Sequence, residues 1–110
     1  MAYDKELEHK IDSLTKDWHL TKKKIFGGLG YFLGDKMPFV IMGDNLLFRV
    51  PDEKIDKLHE RKGIIHAVMG KRVMKHWLLA GGEAIATDKS LRQLLKIGHI
   101  YVVELLEAEK

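Results

Sequence analysis

The first hydrophobic pattern along the chain has a helical period. Tyr3, Leu7, Ile11, Leu14 and Trp18 recur at intervals of four, four, three and four, and the positions between them are mostly Asp, Glu and Lys. That spacing puts the apolar side chains on one stripe and predicts an amphipathic helix over residues 2–18, packed on the domain's own core. The pattern then changes. Ile25, Phe26, Leu29, Tyr31, Phe32 and Leu33 are strand formers within residues 24–33, interrupted by Gly27, Gly28 and Gly30. They predict a strand whose glycines mark a bulge or a close approach of another segment. With regular alternation Phe26 and Phe32 share one face and Tyr31 takes the other; a bulge at Gly27-Gly28 reverses that assignment.

Gly34-Asp35 reads as a tight turn and Met37–Met42 as a second strand, with Pro38, which has no N–H, at a strand start or an edge. Gly43-Asp44-Asn45 is a second turn and Leu46–Val50 a third strand, so the three strands form an antiparallel meander. Pro51 and Asp52 open a short helix that turns Ile55 and Leu58 inward and stops at Gly63. Ile64–Met69 and Met74–Leu79 are two further strands joined through Gly70-Lys71-Arg72. Gly81-Gly82 breaks the chain again, and a last helix begins near Asp88 as its N-cap. Its stripe is Leu91, Leu94, Leu95, Tyr101, Val102 and Leu105. Gly98 falls on the same stripe, where glycine costs about 1 kcal/mol against Ala; the expected compensation is a close approach of the helix backbone to the sheet. The element order is α-β-β-β-α-β-β-α. It predicts an α+β fold, a two-layer α/β sandwich whose antiparallel sheet of about five strands carries its helices on one face, in a single domain over residues 1–110.

Composition narrows the function. The 110 residues are 45% hydrophobic and 32% charged, as in an ordinary folded domain. There is no cysteine, which excludes a disulfide scaffold, a thiol nucleophile and a thiolate metal site and fits a reducing cytoplasm. No apolar run approaches the roughly 20 residues of a membrane helix, and Asp4, Lys5, Glu6 and Glu8 make the N-terminus too charged for a secretory signal. The net charge of +3 is unevenly spread: residues 21–80 hold twelve basic and six acidic side chains, and the flanking segments are slightly acidic. A basic centre suits an anionic partner.

Candidate chemistry is sparse. Gly27-Gly28-Leu29-Gly30 matches neither phosphate-loop spacing and lies inside a strand pattern, not between a strand and a helix, so its reading is structural. The histidines, His9, His19, His59, His66, His76 and His99, show no metal-ligand spacing. Ser13 and Ser90 have no nucleophile-elbow context. No catalytic, metal or cofactor-binding residues are therefore assigned, and no enzyme activity is expected. The basic groups that remain are Lys22, Lys23 and Lys24, and Lys71, Arg72 and Lys75 beside His76 and Trp77. They suit phosphate contact and base stacking, or else solvate a hairpin while Trp77 turns to the core. Strand alternation puts Lys75 and Trp77 on one face and Met74 and His76 on the other.

Three stretches together resemble the TfoX (Sxy) N-terminal domain family. Lys24-Ile25-Phe26-Gly27-Gly28-Leu29-Gly30-Tyr31-Phe32 is similar to its K-x-F-G-G-L-[AG]-F/Y-F signature. Asp44-Asn45-Leu46-Leu47-Phe48-Arg49-Val50 resembles its next turn and strand, and Gly70-Lys71-Arg72-Val73-Met74-Lys75-His76-Trp77 its G-R-P-M-K-G-W segment. Order and spacing agree, so the resemblance spans nearly the whole chain. The motif positions are Phe26, Gly27, Gly28, Leu29, Gly30, Arg49, Gly70, Met74, Lys75 and Trp77. The chain departs from the pattern at Val73 and His76, which replace the expected proline and glycine, at the extra residue in Lys71-Arg72, and in having no proline-containing tail. The resemblance implies a two-layer α/β fold similar to secretion chaperones. It also implies a regulatory domain related to regulators of bacterial competence genes, which act with a cyclic-AMP-responsive activator at promoters. The second, helical domain of full-length members has no counterpart in these residues, so a stand-alone domain is expected. The expected activity is a regulatory or adaptor role through a protein partner such as a transcription regulator, in a homodimer, with direct nucleic-acid binding as the alternative.

Overall fold

A computed structural model describes residues 3–25 and 27–109, with Met69 described by its backbone alone. The first helix, α1 (Lys5–Leu14), starts where the Asp4 carboxylate accepts the N–H groups of Glu6 at 2.9 Å and Leu7 at 3.4 Å. It ends earlier than its stripe predicts. The buried Thr15 hydroxyl donates to the Ile11 carbonyl at 2.8 Å, a back-bond that competes with continuation of the helix. A short 3₁₀ turn, Lys16–Trp18, closes at His19 with φ +57°.

Among the described residues the sheet has six strands where about five were expected: β1 (Thr21–Ile25), β2 (Gly28–Leu33), β3 (Lys36–Met42), β4 (Asn45–Arg49), β5 (Ile64–Met69) and β6 (Arg72–Ala80). The extra strand comes from residues 24–33, which are not one bulged strand. Ile25 pairs with Gly28 in an antiparallel ladder, so the segment forms two strands. Gly27 has φ +76°, a turn conformation that opposes strand continuation. The strand before the turn extends through the lysines to Thr21, where no apolar alternation announces it. Phe26 lies outside the described residues. Tyr31 faces the helices and Phe32 the other side of β2, as alternation requires.

All neighbouring strands are antiparallel, in the order β1-β2-β3-β4-β6-β5. Helix α2 (Asp52–His59) connects β4 to β5 and ends four residues before Gly63; Leu58 is buried and Ile55 half-buried, as expected. Pro38 is tolerated in a central strand because the β2–β3 register shifts between Tyr31 and Leu33, beside it. Helix α3 (Asp88–Ala108) is capped by Thr87, not Asp88: the Thr87 hydroxyl accepts the Ser90 N–H at 3.1 Å.

The helices occupy one face of the sheet. Leu7 and Ile11 of α1, Leu58 of α2 and Leu91, Leu94 and Leu95 of α3 share a single buried cluster with Tyr31, Phe39, Ile41, Phe48 and Leu78. The close approach expected at Gly98 is present. A Cβ there would lie 2.5 Å from the Pro38 carbonyl oxygen and 3.4 Å from that of Arg49, so α3 rests directly on the backbones of β3 and β4. The fold is therefore the α+β two-layer sandwich, and among the described residues no helix covers the second sheet face.

Candidate functional site

The uncovered face is apolar. β3 and β4 contain near-continuous apolar runs, Phe39–Met42 and Leu46–Phe48, so residues alternate between two water-avoiding faces. Phe39, Ile41, Leu46 and Phe48 meet the helices; Val40 and Leu47 turn the other way and are almost fully buried without a covering layer. They are shielded by neighbouring side chains of the same face: Met37, Met42, Met74, Trp77 and Leu79. Between these groups lies a partly enclosed cavity of about 150 Å³, also bordered by Ala67 and Val68.

A defect in β6 assembles this face. Between Val73 and Leu78, β6 spends five residues while β5 advances by two, from Val68 to His66. His76 takes φ +66° and interrupts the alternation. The expected pairing of faces is thereby corrected: Met74 and Trp77 come to the same, open side. His76 instead lies 3.4 Å from the Tyr101 hydroxyl and 3.4 Å from an Asp52 carboxylate oxygen, and Lys75 points to solvent.

Arg49, paired across the ladder with Trp77, holds the edge of this face. Its guanidinium carbon lies 4.9 Å from the Trp77 ring centroid, a cation–π stack, and its Nε donates to the Met37 carbonyl at 3.1 Å. Burial pushes its pKa down, against a smaller opposing influence of Tyr101. Among the described residues no carboxylate comes within ion-pair distance of it, and the rest of its N–H groups have no acceptor. On β2, Gly30 leaves room for this arrangement: a Cβ would meet the Met37 sulfur at 2.9 Å.

The motif positions thus fall into two groups. Gly30, Arg49, Met74 and Trp77, from three separate stretches, converge on the open face. The others do not: Leu29 is in the helix-covered core, Gly27 and Gly28 form the β1–β2 corner, Gly70 lies in the β5–β6 turn, Lys75 points to solvent, and Phe26 is outside the described residues. The basic residues do not converge. β1 and β5 are opposite edges of the sheet, five strand spacings or roughly 24 Å apart. Lys71 and Arg72 are at the β5–β6 turn. Lys22 faces α1 and is held by Glu8 and Asp12, both at 2.8 Å; these bonds, Asp12 first, raise its pKa. Asp12 also accepts the Tyr31 hydroxyl at 2.9 Å, and burial and that bond raise the Tyr31 pKa. Lys24 is on the helix side with Lys22, and Lys23, opposite Gly30, is on the open side.

The histidines are dispersed: His59 packs with His66, His76 with Tyr101 and His99 on Trp18, while His9 and His19 are exposed. No group of three or more His, Asp or Glu that could hold a metal ion occurs among the described residues. Ser13 is exposed in α1 and Ser90 belongs to the α3 cap. No described helix is long and apolar enough to cross a membrane. The sequence reading missed Met37, Val40, Met42, Leu47 and Leu79 as parts of a site. Their signal was the unbroken apolar run in two adjacent strands, which demands cover on both faces.

No curated protein and no solved structure matches the chain. The family model of the TfoX N-terminal domain matches residues 13–99. That span begins within α1, contains the whole sheet and ends in α3 just beyond Gly98. The chain therefore belongs to the TfoX N-terminal domain family.

Proposed function

We propose that this chain is a non-enzymatic regulatory or adaptor domain, of the kind found in competence regulators, that binds another protein through its open sheet face. The observation that supports this most is the convergence of Gly30, Arg49, Met74 and Trp77 on one uncovered apolar surface. Aromatic, methionine and arginine side chains around a desolvated centre are the composition of protein-binding hot spots. The proposed setting is the cytoplasm and the proposed partner a transcription regulator.

The test is complementation in the source cell. Transcript profiles are compared between a strain without the chain and strains supplied with the wild type, with Met74→Glu, or with Lys89→Ala on an exposed face of α3. Met74→Glu is expected to resemble the deletion, and Lys89→Ala the wild type. A folded Met74→Glu variant that restores the full profile overturns the reading. An electrophoretic shift of duplex or single-stranded DNA at low salt, abolished by Lys71→Ala with Arg72→Ala, would replace it with direct nucleic-acid binding.

The proposal includes a homodimer joined at β5. The β1 edge carries three consecutive lysines, which discourage strand addition. At the other edge Ile65 and Val68 are 57% and 58% exposed. Sedimentation velocity should show a dimer that Val68→Lys converts to monomer. A strictly monomeric wild type removes the dimer and leaves the open-face reading intact.

A further inference from the structure

The open face combines a cavity with a cation that has no carboxylate partner among the described residues. The cavity of about 150 Å³ is lined by Met37, Met42, Met74, Trp77 and Leu79 among others. A dry apolar space of about that size accepts one benzene-sized group, which is the bulk of a single Leu, Ile, Phe or Met side chain and far less than a lipid tail. Arg49 is fastened to two residues of the lining, by its stack on Trp77 and its bond to the Met37 carbonyl. Those contacts fix the guanidinium plane and leave its terminal nitrogens without acceptors among the described residues. A half-buried guanidinium is partly desolvated, and no carboxylate among the described residues compensates it, so a carboxylate arriving there meets a pre-oriented donor pair.

We propose, building on the open-face reading, that the partner presents an apolar side chain for the cavity and, adjacent to it, an Asp or Glu carboxylate that the Arg49 guanidinium takes. The apolar group supplies the anchor and the carboxylate the selectivity. A basic or neutral segment would leave the guanidinium desolvated and unpaired, so it is rejected. The three methionines of its lining let the cavity adapt to more than one anchor shape.

The test selects peptides from a random displayed library on the immobilised full chain and maps the best binder by amide chemical-shift changes. That peptide is then made with its acidic residue intact and with the corresponding amide, and both are titrated against wild type and Arg49→Met. The acid form should bind the wild type at least about tenfold more tightly than the amide form, and the difference should vanish on Arg49→Met. The acid–amide comparison on the wild type stands alone should Arg49→Met fail to fold. Peptides that shift the open-face amides but bind equally as acid and amide overturn this inference and leave the adaptor reading standing. Peptides that map elsewhere, or no enrichment at all, overturn both. Octanoate, which offers an alkyl chain and a carboxylate without a peptide, is a competitor arm; saturation at lower concentration than the peptide would make a small amphiphile the occupant and overturn the peptide assignment.

Discussion

Replacing Gly98 by alanine sets two effects of known sign against each other. In a helix interior the change is worth about 1 kcal/mol of added stability, because alanine has less backbone freedom to lose. Against that, the new Cβ would sit 2.5 Å from the Pro38 carbonyl oxygen, nearly an ångström short of ordinary contact at 3.4 Å. The obstructing atoms are main chain of β3 and β4, the two central strands under α3, so no side-chain rotation relieves the clash. Overpacking of this kind costs about 1–3 kcal/mol, and the rigidity of both partners places this site in the upper half of that range. The expected net loss is about 1–2 kcal/mol, or roughly 4–8 °C in Tm per kcal/mol for a domain near this size. Urea unfolding followed by far-ultraviolet circular dichroism measures it, with Lys96→Ala on the exposed side of the same helix as the near-neutral control. Gly98→Ala equal to or more stable than wild type would refute the argument that backbone contact determines this position.

Other substitutions separate further causes. At the β1–β2 corner, Gly27→Ala meets no atom but must hold φ +76°, a cost of about 1–2 kcal/mol. Gly28→Ala drives its Cβ into the Ile41 carbonyl oxygen and should cost more; denaturation midpoints in the opposite order would contradict the assignment. Thr87→Ala should lose about 1 kcal/mol of α3 stability and Asp88→Ala only a few tenths, and equal losses in chemical denaturation would mean that both residues cap. Burial lowers the His99 pKa, where its ring stacks on Trp18 at 4.5 Å. The unfolded chain therefore binds the extra proton first, so His99 leaves stability unaffected above about pH 6.5 and lowers it as pH falls from there to the folded-state pKa. Thermal midpoints of His99→Gln should fall less steeply below about pH 6.5 than those of the wild type; identical slopes would remove His99 as a cause.

The layer architecture was legible because the Tyr3–Trp18 and Leu91–Leu105 stripes carry the helical period and the Met37–Val50 strands are short apolar runs bounded by turn residues. What escaped had no local signature. Thr21–Ile25 is a strand by virtue of pairing with β2, and its lysine-rich sequence has no propensity signal to report. The three-residue excess in β6 is invisible from alternation, and it alone moves Met74 and Trp77 onto one face. The open face followed the same rule: Arg49 and Trp77 were visible as motif positions, but their stacking depends on β4 pairing with β6 and not with β5.

That strand order also divides the sheet into two locally connected pieces. β1 to β4 form a sequential meander and β5–β6 a hairpin, and the β4–β6 ladder is the hydrogen-bonded seam that joins them. The cavity straddles the seam, with Met37, Val40, Met42 and Leu47 from the meander and Ala67, Val68, Met74, Trp77 and Leu79 from the hairpin. An occupant is thus a clamp as well as a ligand. By mass action it stabilises the joined state over any state in which the hairpin has parted from the meander. Hydrogen exchange along Leu46–Arg49 and Trp77–Ala80 would then record occupancy as slower opening of the seam.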